Sequence, residues 1–399
     1  AGMNASQTKF QEAEGIKDSN DKFYEESLKG GHGTNNPELL HYLVDNSASA
    51  IDWLDSMGIT LSNLTTTGGM SEKRTHRPAD GSAVGEYLVA GLLRNASERE
   101  IPIFVNAVVN KVNEKDGKVT GVNVNIDGQE KTIASNAVVL TTGGFGANME
   151  MVTEYKPELN GFVTTNQKGS TGDGVVLAKE IGAATVDMGE IQIHPTVEQS
   201  TSTLISESVR GEGAILVNQD GKRFFNEMET RDKVSKAIIG LPEKYAYLIL
   251  DNALTDRAKA VKFYEKRGLV KTADTVEGLA KEIGVPAENL KATLEAWNKA
   301  VADKKDSEFG RSTAMDHDLT TGPFHAIKIA PGIHHTMGGL KINTNAQVLK
   351  EDGSVINGLY AAGEVTGGVH GANRIGGNAV ADIIIFGRQA GAQAAAYLK

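Results

Sequence analysis

Cysteine is absent from all 399 residues. That absence excludes disulfides, thiolate metal sites, cysteine-ligated iron–sulfur clusters, covalent haem c attachment and a cysteine nucleophile. A thiol-free chain fits an exported, periplasmic setting slightly better than the cytoplasm, although its first residues carry no charged segment followed by an apolar one. No run approaches the roughly 18 consecutive apolar residues of a membrane span, so no span is expected. Excess positive charge is lacking too: 41 Lys and Arg against 51 Asp and Glu leave a net charge of −10, which argues against a nucleic-acid surface. A local basic pocket remains compatible with that total, because steering of an anionic substrate depends on charge placement. No metal site, internal repeat or low-complexity segment is read from the chain.

What is present is an ordinary globular composition, 40% hydrophobic and 23% charged. The length of 399 residues exceeds the roughly 250–300 at which one hydrophobic core stops growing, so two domains are expected. Helical spacing of apolar residues marks Pro37 to Val44, Ala48 to Met57 with Gly58 as a stop, and Gly85 to Arg99. Short β-rich runs follow at 101–106, 107–113, 121–126 and 131–134, punctuated by the hairpin signals Asp116-Gly117 and Asp127-Gly128. Ala137 to Leu140 reads as a buried parallel strand that meets the turn Thr141-Thr142-Gly143-Gly144-Phe145-Gly146. A helix is predicted from Val175 to Ile181, with Asp173 near its start as a cap or hydroxyl acceptor. From about Gly189 the texture changes to polar loops, strands at 215–218 and 247–251, and charged helices. Glycine-rich texture returns after Pro331, so 189–336 is expected as a second domain inserted between 1–188 and 337–399.

Glycine is concentrated from Gly358 to Gly391, where an apolar strand, a glycine loop carrying Arg374 and an apolar-periodic helix from Ala379 succeed one another. Each interior glycine costs roughly 0.5–1 kcal/mol against alanine, so the density calls for backbone that approaches a ligand closely. A planar ring system seated at a helix N-terminus is the natural occupant. The plain alternative is a tight turn in an α/β domain.

Four further motifs precede this block: His194-Pro195-Thr196, the run Ser206-Glu207-Ser208-Val209-Arg210-Gly211-Glu212-Gly213, Thr230-Arg231-Asp232-Lys233, and His334-His335-Thr336-Met337-Gly338-Gly339. In this order they resemble the flavoprotein of the fumarate reductase and succinate dehydrogenase family, of the soluble flavocytochrome c type, over essentially the whole chain. The resemblance implies an α/β fold, a glutathione-reductase-like FAD-binding domain with an inserted α+β capping domain. It also implies noncovalent FAD, a dicarboxylate substrate and an electron-donor domain or protein of haem or flavin type. Such proteins open with a Gly-x-Gly-x-x-Gly turn that cradles the cofactor's pyrophosphate. The sequence contains no such motif, so the chain reads as starting after that βαβ unit, and weak FAD binding by the chain alone is expected.

Reducing an alkene between carboxylates needs anion clamps, a hydride donor and a proton donor. His194, Ser206, His334 and Arg374 are donors from separate segments, and Arg374 offers a fork that matches a carboxylate bidentately. The resemblance adds Glu207, Gly377 and Gly2 to the substrate residues. It places Val108, Thr142, Gly143, Gly144, Gly172, Asp173, His335, Gly363, Glu364, Asn378, Ala379 and Val380 around the cofactor. It implies Arg231 as the proton donor, re-protonated through Glu207 and Arg210. Arginine is a weak acid, but hydride addition leaves carbanion character on the substrate, a base strong enough to accept its proton. A structural Arg–Glu–Arg salt-bridge network is the competing reading of those three. His76-Arg77-Pro78 is expected in a loop, either against the cofactor or capping a turn. A reductase of another enoate, of urocanate, acrylate or cinnamate type, and a catalytically inert fragment are the alternatives.

Overall fold

Two separate apolar cores organise the chain in the computed structural model, which describes residues 2–399. The first core gathers residues from Met3 to Ile191 and again from Ile333 to Ala394, while the second runs from Ile205 to Ile329. The architecture is mixed α/β.

In the first unit, strand Val355–Ala361 runs parallel to Val138–Leu140 and antiparallel to Gln347–Leu349. Helix Asn378–Tyr397 packs over it, burying Ala381, Ile384, Ile385 and Phe386. The meander Ala107–Lys115, Lys118–Ile126 and Gln129–Ala134 pairs antiparallel throughout. Its turns sit where the dipeptides Asp116-Gly117 and Asp127-Gly128 place them, with φ of 53°/77° and 51°/82°. Both residues of each turn are left-handed, the geometry that suits the twist of a two-residue hairpin.

In the second unit the sheet order is Thr203–Leu204, Ile191–Glu198, Phe324–Thr336, Ala246–Asp251, Ile215–Val217, all antiparallel. Lys271–Ala273 also pairs with Phe324–Thr336. Helices Val276–Ile283 and Ala287–Asp303 bury Leu279, Leu290 and Trp297 beside this sheet. The 13-residue strand Phe324–Thr336 belongs to both units, placing Ile327 and Ile329 in the second core and Ile333 in the first. Its pairing with Ile191–Glu198 shifts register between Ile333 and His335. A bulge of this kind re-aims side chains, and it falls where the paired histidines lie.

Three local expectations are corrected. Residues 101–106 form no strand, because nothing among the described residues pairs with them, and Phe104 and Val105 stand 71% and 77% exposed. Strand Val138–Leu140 is parallel as expected but lies at a sheet edge, so only Leu140 is buried. His76-Arg77 lies on strand Thr75–Arg77 rather than in a loop. His76 there is spoken for by Thr8 Oγ1 at 2.7 Å and the Arg74 carbonyl at 2.7 Å, which fixes the N-terminal segment. No described helix is long and apolar enough to cross a membrane.

Candidate active site

The charged residues of the four motifs converge where the two units meet. His194 lies on Ile191–Glu198, and its Nδ1 accepts the Thr196 backbone N–H at 3.2 Å. Burial, reinforced by Arg231, holds its pKa well below 6.5, so the ring is neutral. With Nδ1 accepting, the proton must sit on Nε2, which is buried and has no partner among the described residues. His334 packs edge-on against His194 with ring centroids 5.1 Å apart, and Thr165 Oγ1 fixes its Nδ1 at 2.7 Å. Burial keeps His334 neutral as well.

Arg374 sits in the glycine loop and is 3% exposed, yet its guanidinium makes only a 3.4 Å bond to the Ile375 carbonyl. No carboxylate pairs with it among the described residues, and its Nε is orphaned. Burial, with the nearby charge of Arg231, lowers its pKa to about 9, which still leaves it protonated at neutral pH. Leaving a buried charge uncompensated costs on the order of 3–5 kcal/mol. A dicarboxylate bound between Arg374 and the His194 Nε2–H would supply the missing partner.

Arg231 opens helix Arg231–Ile239 and is held from two sides. Its Nη2 donates to Glu207 Oε2 at 3.1 Å and its Nη1 to Gln192 Oε1 at 3.2 Å, leaving Nε buried and without a partner among the described residues. Glu207 and Arg210 lie on the short helix Glu207–Gly211, and Arg210 Nη2 reaches Glu207 Oε1 at 3.2 Å. Burial alone would raise the Glu207 pKa, but Arg231 and Arg210 prevail and bring it down to about 2. The expected chain Arg231–Glu207–Arg210 is thus continuous in space. Ser206 caps that helix, its Oγ accepting the Ser208 N–H at 3.3 Å and lying 2.8 Å from Ser208 Oγ.

Most of the residues expected around a cofactor lie just after strands or at helix starts. Thr142, Gly143 and Gly144 follow strand Val138–Leu140, and Gly363 and Glu364 follow the neighbouring strand Val355–Ala361. Gly143, Gly172 and Gly363 all have φ near +80°, which glycine alone adopts cheaply, and a Cβ on Gly143 would meet open space. Asp173 starts helix Asp173–Lys179 after Gly172, and Asn378, Ala379 and Val380 start the C-terminal helix after Gly377. Val108 lies on the exposed face of Ala107–Lys115. His335 points away from His334 to the buried side, with Nδ1 3.5 Å from Glu364 Oε1 and its ring edge-on to His370 at 5.5 Å. Burial raises the Glu364 pKa, and its Oε1 accepts the Thr336 N–H at 2.9 Å. Bare glycine backbone flanking Glu364 and His335, with two helix starts nearby, suits a planar cofactor with an anionic tail.

Sequence reasoning missed three residues that hold this site together. Gln192, two positions before His194 and so on the same strand face, donates to the Arg374 carbonyl at 2.7 Å and to Asn373 Oδ1 at 2.8 Å while accepting from Arg231. The period-2 rule applied back from His194 could have found it. Thr165 orients His334 from a loop with no motif. Asn4 ties the N-terminal strand to the glycine loop, its Nδ2 reaching the Gly376 carbonyl at 2.7 Å and its backbone N the Gly377 carbonyl at 3.0 Å. Gly2, expected near substrate, packs tightly against Thr75 and His76.

Comparison with known proteins gives the family of the chain. The FAD binding domain family matches residues 1–380. The chain is 57% identical over 396 residues to the NADH:fumarate oxidoreductase of Klebsiella pneumoniae, spanning 99% of itself but only 43% of that protein. It is 45% identical over 398 residues to a probable fumarate reductase of Shewanella frigidimarina, covering 67% of it. The open conformation of a flavocytochrome c3 fumarate reductase superimposes with a TM-score of 0.77 at 45% identity, over 99% of this chain and 70% of that one. By its fold, its motifs and these matches, the chain belongs to the fumarate reductase and succinate dehydrogenase family of FAD-binding flavoproteins.

Proposed function

We propose that this chain carries the FAD-dependent reduction of fumarate to succinate. The observation that supports it most is Arg374, a buried and unpaired arginine beside the unpartnered Nε2–H of His194. Two donors of this kind from separate segments fit a substrate with a carboxylate at each end. When bound, FAD supplies the hydride for one alkene carbon. Arg374, His194 and His334 grip the carboxylates and stabilise the charge that spreads onto one of them as the hydride arrives. Arg231 gives a proton to the other carbon, completing the saturated product. Glu207 and then Arg210 return a proton to Arg231 along the 3.1 Å and 3.2 Å contacts.

In the cofactor reading, Thr142, Gly143, Gly144, Gly172, Gly363, Glu364, His335 and the start of helix Asn378–Tyr397 would hold FAD. The finer fold reading is a glutathione-reductase-like domain formed by 1–188 and 337–399, with 189–336 inserted as an α+β cap. The Gly-x-Gly-x-x-Gly pyrophosphate turn occurs nowhere in the 399 residues, so flavin content is the first quantity to measure. Electrons reach the flavin from a haem or flavin donor.

Flavin-loaded enzyme is to be assayed with a reduced viologen dye as donor against fumarate, acrylate, urocanate and cinnamate. The reading expects fumarate to be preferred by at least about 100-fold in kcat/KM, since a monocarboxylate leaves one clamp unpaired. Equal or better turnover of any monocarboxylate overturns it.

A further inference from the structure

Behind the relay lies a second buried ion cluster that the reaction as described leaves unused. The Glu227 carboxylate is fully enclosed and gripped from two sides. Oε1 accepts Arg223 Nε at 2.7 Å, and Oε2 accepts Arg223 Nη2 at 2.8 Å and Arg311 Nη1 at 3.1 Å. Arg223 continues to Asp306 at 3.1 and 3.0 Å. Both guanidinium groups lie against Trp297, 4.7 and 4.4 Å from its ring centroid.

Two contacts aim this cluster at Arg210. The Glu227 carbonyl accepts Arg210 Nη1 at 2.7 Å, and Arg311 Nη2 donates to the Arg210 carbonyl at 3.1 Å. The Arg210 guanidinium therefore has two anchors, Glu227 and Glu207, and its Nε has none. Apolar residues of equal volume often stabilise a core as well as buried ions do. What the ions add is direction, since a carboxylate clamped by two arginines fixes where its own backbone carbonyl points.

We propose that Glu227 and Arg311 are positioning residues of the proton relay, fixing Arg210 so that its Nη2 stays on Glu207. This rests on the reading of Arg231, Glu207 and Arg210 as that relay. Glu207 is faced by Arg231, Arg210 and Arg374, and Arg210 by Glu207, Arg231, Glu227, Arg311 and His194. Releasing Arg210 removes one of the charges that keep Glu207 ionised, so the acid limb of the kcat–pH profile moves to higher pH.

The test uses flavin-loaded enzyme and the variants Glu227→Gln, Arg311→Lys, Asp306→Asn and Arg210→Met. Glu227→Gln and Arg311→Lys are expected to lower kcat per bound flavin about tenfold with KM for fumarate within about twofold, and to shift the acid limb upward. Asp306→Asn loosens Arg223 and the turn whose Glu308, Phe309 and Arg311 backbone N–H groups Asp306 accepts, but leaves the contacts of Glu227 and Arg311 with Arg210 in place; it is expected to lower thermal stability and leave the profile unshifted. If Glu227→Gln does not fold, the milder Arg311→Lys carries the test. Wild-type kcat and pH profile in Arg311→Lys and Glu227→Gln, while Arg210→Met is impaired, overturn the proposal and leave the relay standing. An equal shift in Asp306→Asn overturns it too, as general loosening. Full activity in Arg210→Met overturns the relay itself.

Discussion

Arg231 meets Glu207 at 3.1 Å between Nη2 and Oε2, and both side chains are buried, at 7% and 3% exposure for the residues. The pair closes around Gly376: a methyl group there would run into both Glu207 Oε2 and Arg231 Nη2. The glycine loop that carries Arg374 is thus also a wall of the proposed proton path. In the proposed reaction, substrate gripping and proton delivery share one piece of backbone.

Gly376→Ala should therefore push Glu207 and Arg231 apart without touching Arg374. The expected result is a loss of kcat of at least about 10-fold with flavin still bound. Steady-state kinetics alongside the flavin absorbance ratio checks this, and unimpaired turnover would show that the contact is dispensable.

Arg231→Ala should lower fumarate turnover by more than about 100-fold while succinate still binds, because the proton donor is lost and the clamps remain. Stopped-flow reoxidation of reduced flavin by fumarate isolates the step. A rate within about tenfold of wild type, or roughly 1.4 kcal/mol of barrier, counts against Arg231 as the acid.

Arg374→Ala should weaken succinate binding by at least about 100-fold, the loss expected for a charge-assisted fork at a buried carboxylate. His334→Ala should cost less, since a neutral ring contributes a single hydrogen bond. Calorimetric titration with succinate ranks the two, and equal affinity in wild type and Arg374→Ala removes that residue from the site.

Stability should fall in two stages as pH drops. His194, His334 and His335 have folded pKa values below 6.5, so the unfolded chain takes up protons first and stability declines below about pH 6.5. Glu207 is shifted down, from 4.5 to about 2, so its contribution is full above 4.5 and is lost as pH falls from there toward 2. Urea midpoints measured from about pH 8 to pH 3 should show both stages in wild type and a weaker second stage in Glu207→Gln. An unchanged slope below pH 4.5 in that variant would mean the ion chain adds nothing to acid stability.

The site was legible where chemistry is confined to short motifs. His194, Glu207, Arg210, Arg231, His334 and Arg374 stand out by residue type and order, and they do converge. Gln192 was not legible because a glutamine has no chemistry of its own; its role comes from bridging Arg231 to the Arg374 carbonyl, across 182 residues of chain. Thr165 and Asn4 escaped for the same reason. Local rules placed the Asp116-Gly117 and Asp127-Gly128 turns well, since each needs only its own two residues. They failed at 101–106, where a β-rich composition has no neighbouring strand to pair with. His76 could not be assigned from sequence because its partners, Thr8 and the Arg74 carbonyl, are set by how the N-terminal segment docks.

The strand Phe324–Thr336 inserts Ile327 and Ile329 into one core and Ile333 into the other. Melting either core strips half of that strand of its packing and exposes its unpaired half, a cost the other core must then bear. The two cores are therefore thermodynamically joined at a point only a few residues from His334, and heat should unfold them in one calorimetric transition rather than two. The histidine proposed to face substrate sits on the seam through which the stability of each half is communicated to the other.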